Sequence, residues 1–309
     1  MKRSESSTFL LALAICCAAS GNVWRLTTRL WEAPSVVGEI LHGASCVFLL
    51  AFVGSYIKEL KASALSIVEA RATTRLLADI SPLPAAILFL AVGIFPYSQT
   101  SAEALVLIGF LCNVGYFISE WPSHLRQSVG ETKYVPKSIP LAASIFLNAF
   151  AAGAIGYVSR GWILFALGVA CWLLFESKAA KKVMNFPTQI VSLKIARSFS
   201  LPPVTGLFAY QTLSDGRGLL SVTIALAAYA LFVYGGLLYL RFRTNGAPAS
   251  TSDWVFSIGA ILFAHSLLLL RSRSDNGIVD AFIGCIFGAG IYAIAYLAIK
   301  QPSDRSVPN

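Results

Sequence analysis

Residues 79–97 read Asp-Ile-Ser-Pro-Leu-Pro-Ala-Ala-Ile-Leu-Phe-Leu-Ala-Val-Gly-Ile-Phe-Pro-Tyr, an apolar run with prolines at 82 and 84. A run of this length fits a membrane span, and proline inside a helix removes a backbone donor and clashes with the preceding turn. In lipid the freed groups must be satisfied by protein or water, so such breaks belong beside protein or a wet cavity. The pattern recurs outward along the chain. Pro140 lies in the run 138–158, Pro202 and Pro203 lie in 194–213, and Gly259 takes the matching place in 252–270. The spacings are 56 residues (84 to 140), 63 (140 to 203) and 56 (203 to 259). The runs between have no internal proline. Alternate spans kinked at Pro84, Pro140 and Pro203 are therefore expected to form an inner ring around a central conduit, with their neighbours facing lipid.

Composition agrees with that reading. Of 309 residues, 56% are hydrophobic and only 13% charged, against about 25% charged in a soluble domain. Mean hydropathy is +0.70. Apolar runs of spanning length fall near 8–24, 35–57, 79–97, 101–119, 138–158, 160–176, 194–213, 217–240, 252–270 and 277–299. The connections 96–101, 159–161, 213–217 and 271–276 are very short, whereas 58–75, 120–137 and 177–194 are long and polar. The expected fold is an all-α integral membrane protein, a single domain over 1–309. Ten transmembrane helices form five helical hairpins around a central pore lined by the odd-numbered helices, with tails 1–7 and 300–309 in the cytoplasm.

Charge orients the chain. Of the 24 lysines and arginines, 18 fall on the side of both termini and six on the other. The positive-inside bias then puts both termini in the cytoplasm of a plasma (inner) membrane protein. The acidic residues divide nine to six, so the formal charge of +9 sits at one face and the other is neutral. Such a face serves topology and anionic headgroups, or acts as a vestibule concentrating anions. Lys2 and Arg3, an apolar run from Phe9 and Ala18-Ala19-Ser20 before Gly21 also fit a cleaved secretory signal, which would leave nine spans.

The candidate chemistry is sparse. Cys16, Cys17, Cys46, Cys112, Cys171 and Cys285 fall in apolar runs without metal-knuckle spacing and read as packing residues. His42 and His265 also lie in apolar runs; they pack helices or line a cavity, or else hold a haem in a redox-complex anchor. No hydrolytic constellation or phosphate-binding glycine loop is present, so no enzyme, cofactor, metal or nucleic-acid partner is expected. Asp79 at the start of the third span caps a helix, pairs with a neighbour such as Arg75, or couples protons in a carrier. Small and hydroxyl residues on the odd spans, such as Ser81, Asn148, Thr205 and Ser257, permit close helix approach and offer weak uncharged contacts to an ion.

Five short stretches carry a resemblance: Ser119-Glu120-Trp121, Pro140-Leu-Ala-Ala-Ser-Ile-Phe146, Trp172-Leu-Leu-Phe175-Glu176, Leu201-Pro202-Pro203 and Trp254-Val-Phe256-Ser257-Ile258-Gly259. In this order and spacing the chain resembles the tellurite-resistance/dicarboxylate transporter (TDT) family: TehA-like bacterial proteins, malate permeases and the plant guard-cell slow anion channel. The resemblance implies ten helices in pseudo-fivefold order, a homotrimer with a pore in each subunit, and a phenylalanine on the ninth helix that closes the pore. This sequence has Ile258 at the closing position, and its first span has Leu13-Ala14-Ile15 where the family has a proline. The expected function is transport of small inorganic or carboxylate anions across the lipid. The expected pore and gate residues are Ile258, Phe256, Phe146, Pro84, Pro140, Pro203 and Gly259. A proton-coupled carrier for a dicarboxylate or for tellurite, using Asp79, is the alternative.

Overall fold

Runs rich in alanine, leucine and phenylalanine and almost free of charge become helical where water is excluded, because only a helix pairs every backbone group within its own segment. The computed structural model of the chain describes residues 2–64, 82–126, 139–185 and 189–214, with 224, 227–230, 259, 261–262, 264–266 and 268–269. Every regular element among them is an α-helix: α1 (Lys2–Trp31), α2 (Val36–Ala64), α3 (Leu83–Ile94), α4 (Gln99–Arg126), α5 (Ile139–Ala154), α6 (Val158–Asn185) and α7 (Gln189–Leu213). Segments Phe9–Trp31, Val36–Lys58 and Gln99–Ile118 are long and apolar enough to cross a membrane; Leu83–Ile94, Ala142–Ala154 and Val158–Leu174 are shorter apolar helices. The expected tenth span, 277–299, and the C-terminal tail lie outside the described residues.

The turns are built by recognisable local chemistry. Before α4, the Ser98 hydroxyl accepts the Ser101 N–H at 3.3 Å, which caps the helix start. After α5, Gly156 takes φ +96. The Tyr157 N–H donates to Ala152 O at 2.8 Å and the Gly156 N–H to Gly153 O at 3.1 Å, the paired bonds of a left-handed helix cap that glycine adopts without a Cβ clash. Between α1 and α2 the Trp24 indole donates to Pro34 O at 2.7 Å.

Packing separates inner helices from outer ones. Each odd helix packs on the next odd helix, α1 on α3, α3 on α5 and α5 on α7, and each even helix packs on the odd helices before and after it. Nearly all of α3 is buried, as are residues 142–152 of α5 and most of 201–213 in α7. The even helices carry exposed apolar rows instead: Ile40, Val47 and Leu50 on α2, Leu107, Leu111 and Ile118 on α4, Ile163, Leu167 and Leu174 on α6. Lipid gives helices no hydrophobic reason to associate, so small residues and interhelical hydrogen bonds must hold them. The Ser45 hydroxyl of α2 donates to Ala14 O of α1 at 2.8 Å, and the Asn113 amide of α4 reaches Ser144 O of α5 at 3.5 Å.

Candidate functional site

Inward-facing aromatic rings meet where the buried helices converge. Phe150 of α5 and Phe208 of α7 have centroids 4.0 Å apart. Phe89 of α3 lies 6.0 Å from Phe150 and 6.5 Å from Phe208. α3 and α7 each pack on α5, and their rings meet beside it. His265, from the expected ninth span, completes the group at 4.5 Å from Phe208 and 6.4 Å from Phe150, edge-on to both. All four side chains are buried. The Asn22 amide of α1 donates to Phe89 O at 3.1 Å, bringing the first helix to the same level. The result is a solid apolar cluster with one imidazole as its only titratable member among the described residues.

A second polar group lies where the α1–α2 and α3–α4 turns come together. Arg25 of α1 makes a two-oxygen ion pair with Glu39 of α2, with its closest N–O distances at 3.0 Å. It also donates to Gly93 O of α3 and lies over the Tyr97 ring at 5.5 Å. The hydrogen bond to Glu39 holds the Tyr97 phenol above its ordinary range. One turn deeper, His42 of α2 enters between α1 and α3. A Cβ added at Gly21 would stand 2.8 Å from its ring, and one added at Gly93 would stand 2.6 Å away. The His42 ring nitrogens are buried without a hydrogen-bond partner among the described residues.

The next hairpin repeats the device with different residues. The Tyr157 phenol, in the α5–α6 turn, donates to Glu103 of α4 at 2.9 Å, and Arg160 lies over its ring at 4.7 Å. Glu103 also accepts from Gln99 at 2.9 Å. Successive hairpins are thus clasped at one end of the bundle by a glutamate, a tyrosine and an arginine.

The residues expected to form the pore are placed differently from one another. Pro84 stands in the first turn of α3, with Pro82 as its N-cap, and Pro140 is the second residue of α5. In a first turn proline lacks only an N–H that has no helical partner in any case. Pro203, with Pro202, is inside α7, where the Thr205 hydroxyl bonds Leu201 O and Pro202 O at 3.0 Å. Phe146 is buried. Its ring lies against Gly168 of α6 and Gly206 of α7 and is tilted to Phe165, with centroids 5.4 Å apart. Gly259 is helical and buried. Ile258, Phe256 and Asp79 lie outside the described residues. His42 and His265 have different neighbours, His42 lying against Gly21 and Gly93 and His265 against Phe150 and Phe208.

The sequence reading did not single out Phe89, Phe150 or Phe208. One signal for them exists: Phe89 follows Pro84, and Phe208 follows Pro203, by the same five residues. Phe150, ten residues after Pro140, breaks that register. Compared with known proteins, the chain matches no family model and no curated protein.

Proposed function

We propose that this protein passes small anions across a plasma membrane through a path between its odd-numbered helices, closed by the aromatic constriction. The observation that carries this reading is the meeting of Phe89, Phe150, Phe208 and His265 inside helices whose outer partners expose apolar rows. The full arrangement is ten helices in five hairpins with both termini cytoplasmic, assembled as a homotrimer on the TDT pattern. The hairpin-turn end, with Arg25, Glu39, Glu103 and Arg160, is then the extracytoplasmic mouth. An uncharged, aromatic barrier makes loss of hydration the main cost of crossing, which favours weakly hydrated anions and leaves no strong binding site.

Reconstitution into liposomes with anion-substitution currents tests the reading. Replacing Phe208 by Ala removes the ring in contact with Phe150 and should raise anion conductance about tenfold, equivalent to about 1.4 kcal/mol off the barrier. An unchanged current in a folded F208A protein removes the aromatic centre from the path.

A further inference from the structure

One member of the aromatic centre can carry charge, and its surroundings determine when it does. His265 is buried, packed edge-on against Phe208 and Phe150, and its Nδ1 has no hydrogen-bond partner among the described residues. Among the described residues, no charged side chain faces it from the helices packed around it. Residues 83–94 of α3 and 142–154 of α5 contain no titratable group, and 201–213 of α7 contain only Tyr210. The Tyr210 ring is turned outward against Trp162 and Phe165. Within 259–269 the only titratable residue is His265 itself.

A buried cation without a partner is costly, and so is a buried anion facing the negative faces of phenylalanine rings. Brought together, the two form a charge-assisted hydrogen bond. We propose that His265 is the specificity-determining residue of the constriction: its imidazole takes up a proton as an anion arrives, and the imidazolium N–H replaces part of the anion's water. The proton comes from a hydronium ion of the solvent that enters with the anion, adds to a ring nitrogen leaving neutral water, and returns to water as hydronium when the anion leaves. One imidazolium balances one negative charge, so the ligand class is the small monovalent anion, such as chloride or nitrate. A dianion would keep an uncompensated charge at the constriction, and cations are repelled. This inference rests on the anion-passing function proposed above and assigns the residue that sets its selectivity.

The test uses the full chain in liposomes, with chloride, nitrate and malate fluxes measured from about pH 8 to about pH 5, the interval over which histidine ordinarily changes charge. Wild-type chloride and nitrate flux should rise several-fold on acidification and exceed malate flux throughout. His265→Gln keeps a polar group of similar reach but cannot become a cation; its flux should be independent of pH, with the preference for monovalent anions reduced. If H265Q passes too little current to measure, the same comparison is made between F208A and F208A/H265Q, where the constriction is wider. His42 is intact in all four proteins, so a pH dependence that survives H265Q belongs elsewhere and overturns the assignment. Absence of anion flux in both wild type and F208A at every pH overturns the anion-passing reading itself, and the role of His265 with it.

Discussion

A methyl group added at Gly93 would meet the His42 ring at 2.6 Å, and one added at Gly21 would meet it at 2.8 Å, closer than real carbon atoms approach. The imidazole has backbone on both sides and no obvious direction in which to yield. Gly93→Ala should therefore lower stability by about 1–3 kcal/mol, the usual cost of overpacking, seen as a reduced melting temperature in detergent. The cause is specific, so the double variant G93A/H42A should lose less than the two single variants together. Strictly additive losses would show that the imidazole is not what the methyl group strikes. From sequence alone neither glycine points to this slot, because nothing along the chain reveals that a histidine from another helix enters between them. The aromatic centre was hidden for a related reason. With 20 phenylalanines in the chain, a ring that turns inward cannot be told from one that packs in a wall until neighbouring helices are in place. Phe146 and Phe150 are one helical turn apart on α5, yet one packs against α6 and α7 and the other against α3 and α7.

Hydropathy marks where a helix lies in lipid and says little about where the helix stops. α2, α4 and α6 continue to Ala64, Arg126 and Asn185, past the apolar runs that end near 57, 119 and 176. Beyond those runs stand Lys58 and Lys61, Arg126, and Lys178, Lys181 and Lys182, residues that sustain a helix in water as well. The prolines illustrate the opposite difficulty. Their spacing shows which spans are alike, but whether a proline starts a helix or interrupts it depends on the residues before it, and Pro84, Pro140 and Pro203 do not share one role. At this scale the glutamate–tyrosine clasps join one hairpin to the next and respond to pH in a defined sense. The hydrogen bond to Glu103 holds the Tyr157 phenol above its ordinary value, the Glu103 charge adds to the effect, and Arg160 opposes it. The clasp is therefore intact below the usual tyrosine range, near pH 10, and is lost as pH rises through the raised value. Glu103→Gln should move this phenol's titration to lower pH, as followed by carbon NMR of labelled tyrosine; an unmoved titration would mean that the clasp does not form in solution.

Taken whole, the described bundle sorts its surface by helix parity. Leu50 of α2, Leu111 of α4 and Ile163 of α6 are 71%, 57% and 71% exposed, whereas Leu88 of α3 and Leu207 of α7 are almost fully covered. Spin labels placed at the three exposed positions should collide freely with oxygen dissolved in the bilayer. Labels at Leu88 or Leu207 should be shielded, and comparable oxygen access at both sets would contradict the inner and outer arrangement. Among the seven described helices, buried odd ones and exposed even ones are the part of the expectation that proline placement and loop lengths made legible in advance. The even helices also form the outline of the described bundle, and in the anion path proposed above the closure consists of side-chain rings at its centre. Opening of the proposed path by rotation of those rings about χ1 would leave the protein's footprint in the bilayer unchanged. Tension does work only against a change in that area, so stretching the membrane should have no leverage on this protein.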